Sequence, residues 1–305
     1  VPENFARSSR LGSSPFFVIE ADEYDTSYFD RRSKFLHYRP RTLVLNNLEF
    51  DHADIFTDLE AIKTQFHLLL RAVPREGQII YPVDDENLID VIDRGCWSEI
   101  VTIGGEDFKA YPLKKDFSHL RITISGSLAG EIEWPLTGAH NARNALSAIA
   151  AARHAGVAAD IACEALSNFA GVKRRMEVIH TSDTVTVYDD FAHHPTEIST
   201  TLSGLRARVG EEQILAVIEP ASHTMKKGTH EDTLLSSIAP ADKTLWFEPG
   251  SVNWNMAPLN TGTSHVVNDI DTLISGVATQ AREAQSPLHI VIMSNGGFDG
   301  IHEKL

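Results

Sequence analysis

Four short apolar runs, at 185–188, 214–218, 243–247 and 289–293, punctuate the second half of this chain, with helix-patterned segments between them. Runs of that length fit strands buried on both faces, and their alternation with helices predicts βαβ units wound around a mainly parallel sheet. Open sheets of this kind hold ligands beyond the carboxyl ends of their strands. The first run leads directly into Asp189-Asp190-Phe191-Ala192-His193-His194-Pro195-Thr196-Glu197. Each ionisable group there would lose hydration if buried unpaired, so the cluster reads as a site. Pro195 suits the first position of a following helix.

The first half is organised differently. Phe16–Ile19 and Thr42–Leu45 read as interior strands, each ending in polar chemistry. Apolar residues recur with helical spacing over 58–73, closed by Pro74, and 78–81 is a further strand. The stretch 100–134 alternates and carries several glycines, predicting antiparallel β-structure. An alanine-rich helix over 141–155 stops at Gly156, and a second helix covers 158–169. The pattern resets near 171–177. We therefore expect two domains, 1–176 and 177–305, within the 305 residues.

A formal charge of −15 argues against a nucleic-acid binder, which needs a basic face. Cys96 and Cys163 match no zinc or redox spacing. Without an export signal or a long apolar span, a cytoplasmic protein with no membrane contact is expected. The chain begins at Val1 and contains no Gly-Lys, so it has no P-loop and reads as starting partway through a domain.

Several further groups could do chemistry, each with a plainer alternative. Glu20 and His52, at two strand ends, could share a Mg²⁺ with phosphate oxygens and water, or belong to a solvated acidic loop. Asn141 and Asn144 lie one turn apart, where amides suit a purine edge; Asn141 could equally cap the helix. Lys173-Arg174-Arg175 could neutralise a transferring phosphate or form internal ion pairs. His193 and His194 could act as base or positioner, or one could merely cap or pack. Ser294-Asn295-Gly296-Gly297-Phe298 permits close backbone approach to a ligand.

Taken together, Glu20-Ala21-Asp22-Glu23, Asn47-Leu48-Glu49-Phe50-Asp51-His52, Gly138 to Asn144, Gly171 to Glu177 and Asp189 to Glu197 resemble the Mur ligase family of cell-wall enzymes. The resemblance implies an α/β chain: the later part of a central ATPase domain, followed by a C-terminal Rossmann-like doubly wound domain. It implies ATP and Mg²⁺ as cofactors, with Glu20 and His52 as metal ligands and Asn141 and Asn144 at adenine. Arg175 would contact phosphate, Asp190 ribose, and His193 would lie near the acyl phosphate and amine. Three more stretches, Asp30 to Phe35, Glu219 to Met225 and Met293 to Phe298, narrow it to one branch. That branch joins the tripeptide L-alanyl-γ-D-glutamyl-meso-diaminopimelate to UDP-N-acetylmuramate in peptidoglycan recycling. Alternatives are the branch that adds L-alanine, or a binding module without catalysis. The family's upstream uridine-nucleotide domain and P-loop are absent, so a fragment unable to complete catalysis is expected. Ala221-Ser222-His223 replaces the branch's usual Arg-Ser-Asn, and Asp299 replaces a glycine. These departures bear on recognition of the peptide, and not on the fold.

Overall fold

The computed structural model describes residues 1–26, 30 and 32–304. Arg31, within one of the stretches that narrow the resemblance, lies outside the described residues. The chain forms two compact units, 7–170 and 171–305, the latter joined by residues 1–6. This division falls a few residues before 176/177. Backbone pairing explains the difference: Lys173 N–H donates to Val1 and Phe191 N–H to Arg174, so 171–176 belong with the second unit.

In the 7–170 unit, β1 (Thr42–Val44), β2 (Gln78–Pro82) and β3 (Glu99–Ile103) form a parallel sheet in that order. Helix α1 (Leu59–Ala72) starts at Asp58, whose carboxylate accepts the Ala61 N–H, and α2 (Glu86–Asp93) starts the same way at Asp85. Their apolar faces pack with Leu43, Leu45 and Ile79 into one core. The antiparallel expectation holds for β4 (Phe108–Pro112), β5 (His119–Ile124) and β6 (Ser127–Glu133). Residues 99–103 instead pair parallel with β2, burying Ile103 completely. Helix α3 (Ala139–His154) and α4 (Ala159–Ser167) pack on this second sheet in a core with Ile80 and Ile103. Gly156, at φ +91°, ends α3 in a conformation that a Cβ would strain.

The expected strand at 16–19 is not formed. Phe16 to Ile19 are irregular and exposed. Local apolarity makes a strand only where a neighbouring edge accepts its backbone groups, and none does so here among the described residues.

In the 171–305 unit, β7 (Glu177–Thr181), β8 (Val185–Asp190), α5 (Pro195–Val209), β9 (Gln213–Ile218), α6 (His223–Lys226), α7 (Glu231–Ser237), β10 (Lys243–Phe247), β11 (Ser264–Val267), α8 (Ile270–Glu283), β12 (Leu288–Met293) and α9 (Ile301–Lys304) follow in sequence. The sheet order is β11-β10-β9-β12-β8-β7, parallel except for β7. Alternate residues of β9 and β12 face opposite cores. Ile214, Ala216, Ile218, Val291 and Met293 meet α5 and α7, whereas Leu215, Val217, Ile290 and Ile292 meet α8 and α9. Each such Leu, Ile, Val or Met side chain removed from water contributes about 1.5–3 kcal/mol before entropy is counted. The order reverses at β12: β9, β10 and β11 run to one side and β8 lies on the other. Asp190, Met293, Ile218 and Trp246 are in register across the strand ends, so the residues after β8, β12 and β9 emerge side by side.

Candidate active site

The Asp189–Glu197 stretch occupies that carboxyl edge. Asp190 is 2% exposed. Its carboxylate accepts the Met176 N–H at 2.8 Å and the Ala192 N–H at 2.9 Å. Burial pushes its pKa up to about 6, against the pull of those N–H groups and of Arg175.

The two histidines differ in role. His194 is the N-cap of α5, its Nδ1 accepting the Thr196 N–H at 3.3 Å, with Pro195 next in line. Nδ1 of His193 lies 2.9 Å from the Phe191 carbonyl oxygen and 3.3 Å from Glu197. A carbonyl can only accept, so Nδ1 carries the proton and Nε2 keeps the lone pair. Glu197 also accepts the His193 backbone N–H at 3.0 Å and lies 3.5 Å from Arg175. The carboxylate behind the imidazole thus fixes the orientation of the ring.

Phe191 joins these parts. Both Arg174 and Arg175 lie over its ring, at 5.2 and 5.6 Å, and the His193 ring meets it edge-on at 5.4 Å. The basic run is thus internally partnered at two positions. Arg174 takes Asp189 and Arg175 reaches Glu197.

Composition gives no sign of a further buried carboxylate at this edge, beyond Asp189 and Asp190. Glu219, just beyond β9, accepts the Ser294 hydroxyl at 2.5 Å, and that hydroxyl accepts the Gly296 N–H at 2.8 Å. A Cβ on Gly296 would lie 3.1 Å from Ala221 Cβ and 3.2 Å from Glu219 Oε2. The motif Glu219-Pro220 after a strand was its only sequence signal.

The 7–170 unit carries its own cluster. His52, at φ +55°, places Nε2 3.0 Å from Glu23, with Tyr24 edge-on at 4.3 Å. Burial lowers its pKa, but Glu23, Asp51 and Asp54 outweigh that effect and the net shift is upward. The Tyr24 hydroxyl donates to Asp54, and burial together with that carboxylate pushes its pKa up to about 12. The Glu20 side chain is exposed and makes no hydrogen bond or ion pair among the described residues. No group of three or more His, Cys, Asp or Glu able to hold a metal occurs among them. The donor chemistry around His52 is rich in oxygen, as Mg²⁺ prefers, but the imidazole is already paired with Glu23, so the residues do not fit a formed magnesium site.

At the start of α3 the N-cap is Gly138, and not Asn141. Asn141 donates to the Thr137 carbonyl at 2.8 Å, and its Oδ1 lies 3.5 Å from Asn144 Nδ2. The two amides therefore share one face of the first turns. Asn141 and Asn144 belong to the 7–170 unit, and Arg175, Asp190 and His193 to the other. No helix among the described residues is long and apolar enough to cross a membrane.

Known proteins match both units. The Mur ligase middle domain matches residues 1–152, and the Mur ligase glutamate ligase domain matches residues 174–296. The UDP-N-acetylmuramate–L-alanyl-γ-D-glutamyl-meso-2,6-diaminoheptandioate ligase of Escherichia coli K12 is 50% identical over the whole chain, which covers 67% of that protein. Its Haemophilus influenzae counterpart is 44% identical over 99% of the chain, again covering 67% of the relative. The crystal structure of a murein peptide ligase from Psychrobacter arcticus superposes with a TM-score of 0.69 at 43% identity, over 98% of this chain and 64% of that one. The chain thus spans about two thirds of the length of these relatives. It belongs to the Mur ligase family, carrying that family's middle and glutamate ligase domains.

Proposed function

We propose that these domains serve, in the whole protein, an ATP-dependent ligase that joins the L-alanyl-γ-D-glutamyl-meso-diaminopimelate tripeptide to UDP-N-acetylmuramate. The observation that carries this reading is the 50% identity, over the whole chain, to an E. coli ligase named for that reaction. In the proposed chemistry a phosphoryl group passes from ATP to the muramoyl carboxylate, giving an acyl phosphate and ADP. The peptide amine attacks the acyl carbon, and the tetrahedral intermediate expels inorganic phosphate as the amide forms. The nitrogen loses a proton in that step.

His193 is the proposed acceptor of that proton, through Nε2, with Glu197 holding Nδ1. Arg175 is the proposed phosphate contact, where its charge would offset the developing negative charge of the leaving group. Asp190 is the proposed ribose contact, and Asn141 and Asn144 the proposed adenine contacts. Mg²⁺ would supply charge neutralisation at the phosphates. Glu20 and His52 do not form a site for it among the described residues of this structure.

The test is an assay of the full-length protein for ATP-dependent phosphate release with UDP-N-acetylmuramate, supplying tripeptide and L-alanine in separate reactions. Turnover with tripeptide alone supports the reading and makes Ala221 a tolerated departure. Turnover with L-alanine alone overturns it in favour of the other branch, and silence with both overturns it in favour of a binding protein.

A further inference from the structure

The Arg174 side chain faces inward, toward protein partners. Its Nε lies 3.1 Å from Asp189 Oδ2, a carboxylate that is 9% exposed. A terminal nitrogen donates to the Ser294 carbonyl at 2.7 Å and reaches the Gly296 carbonyl at 3.5 Å. The backbone of Arg174 is equally fixed. Its N–H donates to Glu177 at 2.8 Å and its carbonyl accepts the Phe191 N–H at 2.8 Å. Three segments distant in sequence therefore converge on one guanidinium: the 171–177 turn, the end of β8 and the loop after β12. Each carries a residue of the proposed site or lies against one. Arg175 follows Arg174, Asp190 follows Asp189, and Gly296 packs on Ala221 and Glu219.

A planar fork of N–H donors suits this task, because one group satisfies a carboxylate and two carbonyls in fixed directions. A lysine ammonium could keep the ion pair with Asp189 but lacks the rigid fork for the carbonyls. We propose that Arg174 is a positioning residue: paired with Asp189, it ties the Ser294–Gly296 loop to the segment bearing Arg175 and keeps that segment over the Phe191 ring. Arg174 thus acts through protein contacts, whereas Arg175 is the proposed phosphate contact. The consequence for turnover rests on the ligase reading above; the structural tie does not.

The test compares full-length wild type, Arg174→Ala and Arg174→Lys by amide hydrogen exchange and by steady-state kinetics. Exchange at the Gly296 amide, now bonded to Ser294 Oγ, should accelerate on the order of tenfold in Arg174→Ala, while 289–292 within β12 stays protected. Arg174→Lys should fall between, and it serves as the working variant if the alanine form does not fold. Turnover should fall by about 10²-fold in Arg174→Ala, as expected when reacting groups are misplaced by about an ångström. KM for ATP should stay within about twofold, and lysine should restore turnover only in part. Unchanged exchange at Gly296 overturns the tie. A tenfold or larger rise in KM for ATP, restored by lysine, makes Arg174 a phosphate ligand instead. Faster exchange with unchanged kcat removes its role in turnover. Should wild type show no ligase activity, the ligase reading fails while the exchange data still decide the tie.

Discussion

The carboxylate of Asp190 accepts the backbone N–H of Met176 at 2.8 Å, joining the end of β8 to the turn that carries Arg175. The Ala192 N–H takes the other oxygen, so a nearly inaccessible carboxylate is held between two amides. Those amides favour the ionised form and burial disfavours it; burial wins, and the pKa is about 6.

A pH dependence follows with a definite sign. In the unfolded chain this group releases its proton near 3.8, and in the folded protein near 6. Its contribution to stability is fully present below pH 3.8 and is lost as pH rises through 6. Wild type should lose about 2 kcal/mol relative to Asp190→Asn between pH 4 and 6, with the difference levelling off above about pH 7. Urea unfolding of both proteins across that range measures the difference, and a flat difference contradicts the assignment. The comparison with the variant cancels carboxylates such as Asp269, whose hydrogen bonds to Thr272 lower the pKa and act in the opposite direction.

His52 titrates under the opposite balance. Its raised pKa depends on Glu23, so its stabilising contribution is present below pH 6.5 and fades as pH rises through the folded value. Glu23→Gln should lower the His52 pKa from its wild-type position, by leaving burial opposed only by Asp51 and Asp54. Titration of the His52 ring protons by NMR checks this. An unmoved pKa would mean that the 3.0 Å pair does not form in solution.

The paired glycines after β12 should behave differently. Gly296→Ala places a methyl 3.1 Å from Ala221 Cβ and 3.2 Å from Glu219, beside the Ser294–Glu219 hydrogen bond. Overpacking of this kind costs about 1–3 kcal/mol. Gly297→Ala meets nothing within 4 Å at φ −83° and should stay within about 0.5 kcal/mol of wild type. Thermal unfolding of the two variants separates them, and equal losses would contradict the close approach at Gly296.

What was legible in the sequence was what is local. A short apolar run, a polar cluster and a proline specify β8, the turn and the start of α5, because strand burial and helix capping act within a few residues. The alternative that one histidine caps applies to His194, two residues from the N–H it accepts. Long-range ties leave no local mark. Arg174 reaches a carbonyl 120 residues away and Ser294 a carboxylate 75 residues away, separations without a spacing rule. Edge strands escaped for another reason: β7 leaves Val178 and Ile179 exposed, so no burial pattern marks it. Phe16 to Ile19 fail in the opposite sense, with strand-like composition and no edge to pair with.

Isotope transfer distinguishes an amide formed through an acyl phosphate from one formed by any route that leaves the muramoyl oxygens in place. The full-length protein would be supplied with tripeptide, ATP and UDP-N-acetylmuramate carrying ¹⁸O in its muramoyl carboxylate. One labelled oxygen should appear in the inorganic phosphate released, because the carboxylate oxygen that takes the phosphoryl group departs with it. Amide product accompanied by unlabelled phosphate would rule out an acyl phosphate.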